Sequence, residues 1–271
     1  MLRGEDYMAV FFLEPHLRER IAPLVEGWEE SLIWSCMQGV MGTVWVDNVE
    51  TPSAALLLIA DFCFLAGKPN EELALYRPEE AKSENVIMVG QNTDWDTLIE
   101  RVYGEGAKKI IRYAIKKEPT VFDKEKLQEM TKKLPPGYEL TMIHKDIYDQ
   151  VMENEWSSDW CASFASYEEY ENLGIGVAIL KDGRIIAGAS SYTVYQGGIE
   201  IQIDTHKEYR RLGLATICGA KLILECLERG WYPSWDAHNL WSVALAEKLG
   251  YHFDHEYTAF DVSTFGRRKR V

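Results

Sequence analysis

Arg210, Gly213 and Ala215 stand in the spacing Arg-x-x-Gly-x-Ala, a turn able to hold a phosphate. Small residues at its second and third fixed places let an anion approach backbone N–H groups where a helix begins, and the helix dipole favours negative charge there. The residues before it, 199–205, read as a strand, because Ile199, Ile201 and Ile203 alternate with Glu200, Gln202 and Asp204. One face of that strand is for burial and the other for a cleft. Two better-known phosphate turns are excluded: no Gly-Lys-Ser/Thr ends the loop as a Walker sequence requires, and the three glycines of a dinucleotide fingerprint are missing.

The elements that must position this turn fill the second half of the chain. Leu134-Pro135-Pro136-Gly137 cannot lie inside an element, so the domain break is expected near residue 136, dividing the chain into 1–136 and 137–271, with Glu118-Pro119 as the alternative. Beyond the break the patterns predict a strand over 138–143, helices over 145–153 and 166–172, and a hairpin of 174–180 with 184–192 through Lys181-Asp182-Gly183. A turn at Gln196-Gly197-Gly198 leads into the strand already described. The helix after the phosphate turn spans 214–228 and is stopped by Gly230; a strand over 232–237 follows. Asn239 caps a helix over 240–249, Gly250 ends it, and a last strand covers 251–262.

The first half reads as one helix over 14–37, strands over 43–47, 54–60, 86–89 and 108–115, and helices over 94–103 and 124–133. Residues 62–66 either continue the second strand or start another. The run 86–104, strand then Asn92 then helix then Gly104, echoes 232–250.

Composition bounds the partners. Among 271 residues, 29 basic and 43 acidic side chains leave a net charge of −14, which argues against a nucleic-acid backbone as partner and would draw cationic ligands, though solubility alone also explains it. Cys36, Cys63, Cys161, Cys218 and Cys226 are scattered with no Cys-x-x-Cys, so a reduced cytoplasmic protein without a metal site is expected. The first 30 residues lack the pattern of a signal peptide and no apolar run is long enough for a membrane, so no membrane partner is expected. The terminal Gly266-Arg267-Arg268-Lys269-Arg270 reads as a solvated tail.

In this order of elements, Glu208-Tyr209-Arg210-Arg211-Leu212-Gly213-Leu214-Ala215 and, further on, Asn239-Leu240-Trp241-Ser242 with Glu247-Lys248-Leu249-Gly250-Tyr251 resemble the pyrophosphate loop and the Asn-x-x-Ala region of the GNAT superfamily of acyl-CoA-dependent N-acetyltransferases. The superfamily resemblance covers roughly 138–262. Gly188-Ala189-Ser190-Ser191, Ile199-Glu200-Ile201 and Pro233-Ser234-Trp235-Asp236-Ala237 extend it, over nearly the whole chain, to the branch containing the zwittermicin A resistance protein.

The resemblance implies an α/β GNAT-like fold: a mixed, mostly antiparallel central sheet flanked by helices and splayed at the acetyl-CoA site, with an additional N-terminal α/β domain covering the substrate cleft. That domain is a degenerate GNAT-like half or an unrelated α/β unit. The implied reaction moves acetyl from acetyl-CoA to an amine of a small molecule such as an aminopolyol or antibiotic-like amine; antibiotic resistance and a homodimer are compatible with it. A non-catalytic acyl-CoA sensor and a protein-lysine acetyltransferase are the alternatives.

On this resemblance, backbone N–H groups of Arg211, Leu212, Gly213, Leu214, Ala215 and Thr216, with the charge of Arg210, hold the pyrophosphate, the Arg211 side chain being solvated in the alternative reading. Ile203, Asp204 and Thr205 border a gap between 201–205 and 232–237, where a backbone N–H polarises the thioester. Asn239 and Ser242 fall on the cofactor side. Glu200 stands where some members carry a general base acting through water, a substrate-binding or salt-bridged carboxylate being the other reading, and Asp204, Asp236, His206 and His238 are lesser candidates. The usual tyrosine of the family, proposed acid for the leaving thiolate, is Ala246 here, so that role is unassigned. Trp95, Trp156 and Trp160 are candidates to line the cleft, with core positions as the alternative.

Overall fold

The computed structural model describes residues 10–79, 81 and 83–267; Arg268, Lys269 and Arg270 of the basic tail lie outside them. Compactness divides the chain into a unit of 1–111 with 258–271 and a unit of 112–257.

In the first unit the helix expected over 14–37 is interrupted. A 3-10 run, Pro15–Ile21, passes into the short α1 (Ala22–Val25), and Gly27, at φ 75°, turns the chain before α2 (Ser31–Gln38). Left-handed backbone is open to glycine and ends a helix at once. β1 (Phe11–Phe12), β2 (Thr43–Val46), β3 (Ala54–Ile59) and β4 (Phe62–Gly67) pair antiparallel in sequence order, so residues 62–66 form a strand of their own. A crossover through α3 (Glu71–Leu75) then sets β5 (Val86–Gly90) parallel to β4. α4 (Thr93–Tyr103) follows, capped by the Asn92 side chain and ended at Gly104. The core holds Leu56, Leu58, Met88, Ile99 and Trp95, whose indole N–H donates to the Gly67 carbonyl at 2.9 Å. Trp95 is therefore a core residue.

β6 (Ala107–Ile115) carries the chain into the second unit. There α5 (Lys124–Thr131) buries Leu127 and Met130 and packs along a later helix, which is why 112–136 fall in this unit although the prolines at 135 and 136 suggested a break after them. β7 (Tyr138–Met142) leads to α6 (Lys145–Glu153), a 3-10 turn at Ser158–Trp160 and α7 (Tyr167–Leu173). β8 (Gly176–Lys181) and β9 (Arg184–Tyr195) form the expected hairpin, with φ 51° at Asp182 and 75° at Gly183, the left-handed pair that a twisted two-residue turn needs. β10 (Gly198–Thr205) pairs antiparallel with β9, α8 (Leu214–Glu228) crosses over, and β11 (Tyr232–Ser234) returns parallel to β10. The strand expected over 232–237 breaks at Trp235; β12 (Asp236–Ala237) pairs instead with Ala114 and Tyr113 of β6. α9 (Leu240–Leu249) is capped by Asn239 and ended at Gly250, and β13 (Phe253–Val262) leaves the unit, its last residues pairing with β5 in the first.

The two units share one topology. Strands β1-β2-β3-β4-β5 and β7-β8-β9-β10-β11 have the same order, antiparallel except for a last parallel pair joined through a helix, and each is followed by a helix with an Asn cap and a Gly stop. The echo between 86–104 and 232–250 thus corresponds to β5–α4 and β11–α9. The fold is an α/β GNAT-like one, with mixed sheets flanked by helices.

Candidate active site

The parallel ladder of β10 and β11 has three rungs, Gly198 with Tyr232, Ile199 with Pro233, and Glu200 with Ser234. Opposite the step from Glu200 to Ile201, β9 carries one extra residue, Tyr192, since Glu200 pairs with Thr193 and Ile201 with Ser191; such a β-bulge bends the strand and increases the local twist. Past this rung Trp235 is drawn into the core. Its indole N–H donates to Ser242 Oγ at 3.1 Å and its ring meets the edge of Tyr251, whose hydroxyl donates to the Pro233 carbonyl at 2.6 Å. Asp236 and Ala237 are then held on β6, so the outer edge of β10 from Ile201 to Thr205 is left facing a wedge whose other side begins at Trp235. The gap expected against 232–237 is confined to its second half.

At the end of this open edge lies the phosphate turn. Arg210 Nε donates to the Thr205 carbonyl at 3.2 Å. Arg211 and Gly213 both take left-handed backbone, φ 65° and 79°, which folds successive N–H groups toward one side as a nest. α8 starts at Leu214 with no side-chain cap among the described residues and no acidic residue in its first turn. The N–H groups of Leu214, Ala215 and Thr216 have no partner within the helix, and an anion is what they can take. Leu212 is half exposed, while Leu214 and Thr216 are buried and anchor the turn. Deeper in α8, a Cβ on Gly219 would stand 2.7 Å from Leu249 Cδ1, so glycine lets α9 close on α8.

The same place in the first unit is shut. Asn70 accepts from the N–H groups of Glu72 and Leu73 at 2.9 and 3.1 Å and places two glutamates in the first turn of α3. Beyond the last rung of β4 and β5, Gln91 N–H donates to Leu65 and Gln91 Oε1 accepts from Gly67. No wedge opens there, and no uncapped helix start faces an anion.

The three candidate carboxylates, Glu200, Asp236 and Asp204, have three different environments. Glu200 is buried at 4% exposure, and its charge adds to the burial that holds the phenols of Tyr195 and Tyr251 above their ordinary range. Asp236 receives Arg112 Nε at 2.6 Å, a second guanidinium bond, and the Tyr257 hydroxyl at 2.9 Å. Burial raises the Asp236 carboxyl against the pull of Arg112, and although burial also works against the Arg112 charge, Asp236 outweighs it and holds the guanidinium above its usual range. Asp236 is thus committed to an ion pair. Asp204 Oδ2 accepts from Gln202 Nε2 at 2.8 Å and Trp160 Nε1 at 3.3 Å, and burial pushes its carboxyl up despite these bonds.

Asp204 and Thr205 line a cleft of about 350 Å³ together with Glu155, Trp156, His206, Lys207 and Arg210. The Trp156 ring meets the edges of Trp160 and His206, each with centroids 5.3 Å away. Of the three tryptophans proposed for the cleft, Trp156 lines it, Trp160 is buried beneath it, and Trp95 belongs to the core of the other unit. Ile203, one residue before Asp204, turns the opposite way, toward Gly219 of α8.

Asn239 Oδ1 accepts from Ser242 N–H at 2.9 Å, its amide group faces His238 Nε2 at 2.7 Å, and Ser242 Oγ is engaged by Trp235. Both side chains thus hold the wedge and α9 in place. His238 is held below the ordinary imidazole value by desolvation first and then by the Arg112 charge. Ala246 is fully buried, Tyr251 is a core residue and Tyr257 is bound to Asp236.

Three features escaped the sequence reading: the bulge, the Arg112 partner of Asp236, and the Glu155 and Lys207 walls of the cleft. Arg112 had a signal, a charge set among the apolar and aromatic residues 110–115 of the strand, since buried charges are paired. The bulge had none. All five cysteines are buried free thiols, and no cluster among the described residues is placed to hold a metal ion. No helix among them is long and apolar enough to cross a membrane.

Comparison with known proteins agrees with this geometry. Residues 22–260 match the family model described as GNAT acetyltransferase. The uncharacterized N-acetyltransferase YdfB of Bacillus subtilis (strain 168) is 29% identical over 239 residues, 82% of this chain and 86% of its own. The crystal structure of a GCN5-related N-acetyltransferase-like protein from Streptococcus suis 89/1591 superposes with a TM-score of 0.86 at 44% identity, covering 91% of this chain and 98% of that one. A GCN5-related N-acetyltransferase from Sphaerobacter thermophilus shares the fold at 14% identity, with a TM-score of 0.55 and coverage of 93% and 94%. A strand pair parted beside an uncapped helix start and a family match over most of the sequence lead to one conclusion: the chain belongs to the GNAT acetyltransferase family, N-acetyltransferases that use acetyl-CoA as cosubstrate.

Proposed function

We propose that the second unit transfers acetyl from acetyl-CoA to a primary amine of a small molecule, an aminopolyol or similar antibiotic-like amine, by direct attack on the thioester. The observation that carries this reading is the wedge that opens at Glu200 and Ser234 beside the uncapped start of α8. Backbone N–H groups of residues 211–216 bind the pyrophosphate, with Arg210 adding positive charge. The open edge of β10, residues 203–205, lies along the cofactor arm and supplies an N–H to the oxygen of the reacting carbonyl. Asn239 and Ser242 support that side through the α9 start.

The amine must be neutral to attack. Glu200, at the last rung, takes the ammonium proton through a water; the amine nitrogen then bonds to the carbonyl carbon as the carbon–sulfur bond breaks, and the second nitrogen proton passes through solvent to the departing thiolate, with no phenol assigned to deliver it. Asp236, bound to Arg112 and Tyr257, sets the shape of the wedge rather than moving a proton. The first unit is read as a degenerate second copy of the fold, its anion turn filled by Asn70. The motifs around Gly188, Ile199 and Pro233 support placement in the zwittermicin A resistance branch.

The test is thiol release from acetyl-CoA against a panel of small amines and aminopolyols, with wild type beside Gly213→Glu. Release that requires an amine and disappears in the variant supports the reading. Tight acetyl-CoA binding without release for any amine would replace it with a sensor.

A further inference from the structure

Successive residues of β10 project to opposite faces of the sheet. Ile203 points to α8, and Asp204 points away from it, to Trp160 and the cleft. An acceptor entering by the cleft therefore meets Asp204.

Asp204 is placed as a binding group. Both of its donors, Gln202 and Trp160, address Oδ2; Oδ1 carries no hydrogen bond and the carboxylate has no salt-bridge partner among the described residues. A half-buried carboxylate with only two neutral N–H partners costs stability unless a cation completes it. Burial keeps its carboxyl raised, Asp159 adds to this, and His238 offsets it in part. The cleft also carries charge of both signs. Lys207 and Arg210, next in sequence to the phosphate turn, bring positive charge to the lining, and Asp204 and Glu155 bring negative charge. Trp156, packed nearly perpendicular to Trp160 and His206, supplies a fixed aromatic wall, and an indole face attracts a cation within about 6 Å.

We propose that Asp204 and Trp156 form the acceptor site: Asp204 Oδ1 binds the ammonium group and Trp156 packs on the carbons next to it, selecting cationic primary amines over neutral or anionic acceptors. The proposal rests on the acetyl-transfer reading for calling this ligand the acceptor. Asp204 acts as a positioning residue, distinct from the proton acceptor Glu200.

The test uses the full chain with n-butylamine, cyclohexylamine and glucosamine as probes and the neutral n-butanol as control, titrated by tryptophan fluorescence without acetyl-CoA. The expected results are binding of at least one ammonium probe and none of the alcohol, a loss of about tenfold or more in Asp204→Asn and Trp156→Ala, and recovery to within about threefold in Asp204→Glu. Acetyl-CoA affinity by calorimetry stays within about twofold, and in turnover the loss appears in the KM for the amine with kcat nearly unchanged. The proposal is overturned by a wild type that binds no ammonium probe, by Asp204→Asn binding as well as wild type, or by a loss that falls on acetyl-CoA instead. Ammonium binding that depends on Asp204 without any thiol release would leave this site standing and remove the acetyl-transfer reading.

Discussion

Glu200 and Ser234 form the last rung of the parallel ladder between β10 and β11, and the bulge opposite the step from Glu200 to Ile201 falls at that same rung. One extra residue in β9, Tyr192, twists the pairing with β10 just where Trp235 takes β11 out of register on its other side. The wedge is thus made by two local events on the strands that flank β10. If Glu200 moves the amine proton, Glu200→Gln lowers kcat by about 10²–10⁴ while leaving acetyl-CoA affinity unchanged. Steady-state rates beside calorimetry decide it, and a kcat within a few-fold of wild type would assign the proton elsewhere.

The phosphate turn makes a paired prediction. A methyl group added at Gly213 would meet nothing within 4 Å, so the need for glycine there is the φ of 79° alone; Gly213→Ala costs about 1–2 kcal/mol in that region and weakens acetyl-CoA binding. Arg211, also left-handed, contributes through its backbone in this reading. Arg211→Gly is expected to keep acetyl-CoA affinity within about threefold and to relieve about 1 kcal/mol of backbone strain, read as unchanged or raised Tm. A tenfold loss of affinity in Arg211→Gly would show that its side chain binds.

Arg112 and Asp236 form a buried pair whose partners are 10% and 6% exposed. Arg112→Met leaves the carboxylate unanswered and is expected to cost about 3–5 kcal/mol in urea unfolding. Removing both charges with Asp236→Leu in the same chain recovers most of it. A cost below about 1 kcal/mol for the single change would mean that the pair holds nothing together.

Asn239 and Ser242 hold the start of α9 and the ring of Trp235. Asn239→Ala is expected to lose about 1 kcal/mol as a missing cap, and Ser242→Ala about as much through the unsatisfied indole N–H. Chemical denaturation measures both. Equal stability with a large fall in acetyl-CoA affinity would instead give these side chains a direct contact with the cofactor.

Asp204 links function to pH. Its folded-state value is raised above the unfolded 3.8, so the folded protein binds its proton more tightly than the unfolded chain does, and the associated stability is present below 3.8 and lost as pH rises through the raised value. Asp204→Asn is therefore expected to melt higher than wild type at neutral pH, with the difference shrinking toward pH 3.8. Melting curves across that window test it; a variant that melts lower at every pH would show that the Gln202 and Trp160 hydrogen bonds outweigh desolvation.

The sequence alone determined the local elements and their ends. The alternation of Ile199, Ile201 and Ile203, the left-handed positions at Gly183, Gly213 and Gly250 and the Asn239 cap are set by neighbours within a few residues, and α8 and α9 lie where they were expected. The phosphate turn was legible for the same reason, since its chemistry is backbone chemistry on a short stretch. Only the tertiary structure decided that residues 232–237 serve two different strands, because their partners, β10 and β6, are distant in sequence and Trp235 chooses between them by burying its ring against Tyr251. It likewise gave Asp236 to Arg112, 124 positions away, and buried Glu200 while leaving Asp204 on the wall of the cleft. A pattern of types along the chain shows which side chains are polar; which of them meets a counter-charge, a phenol or open space depends on contacts that only the folded chain brings together.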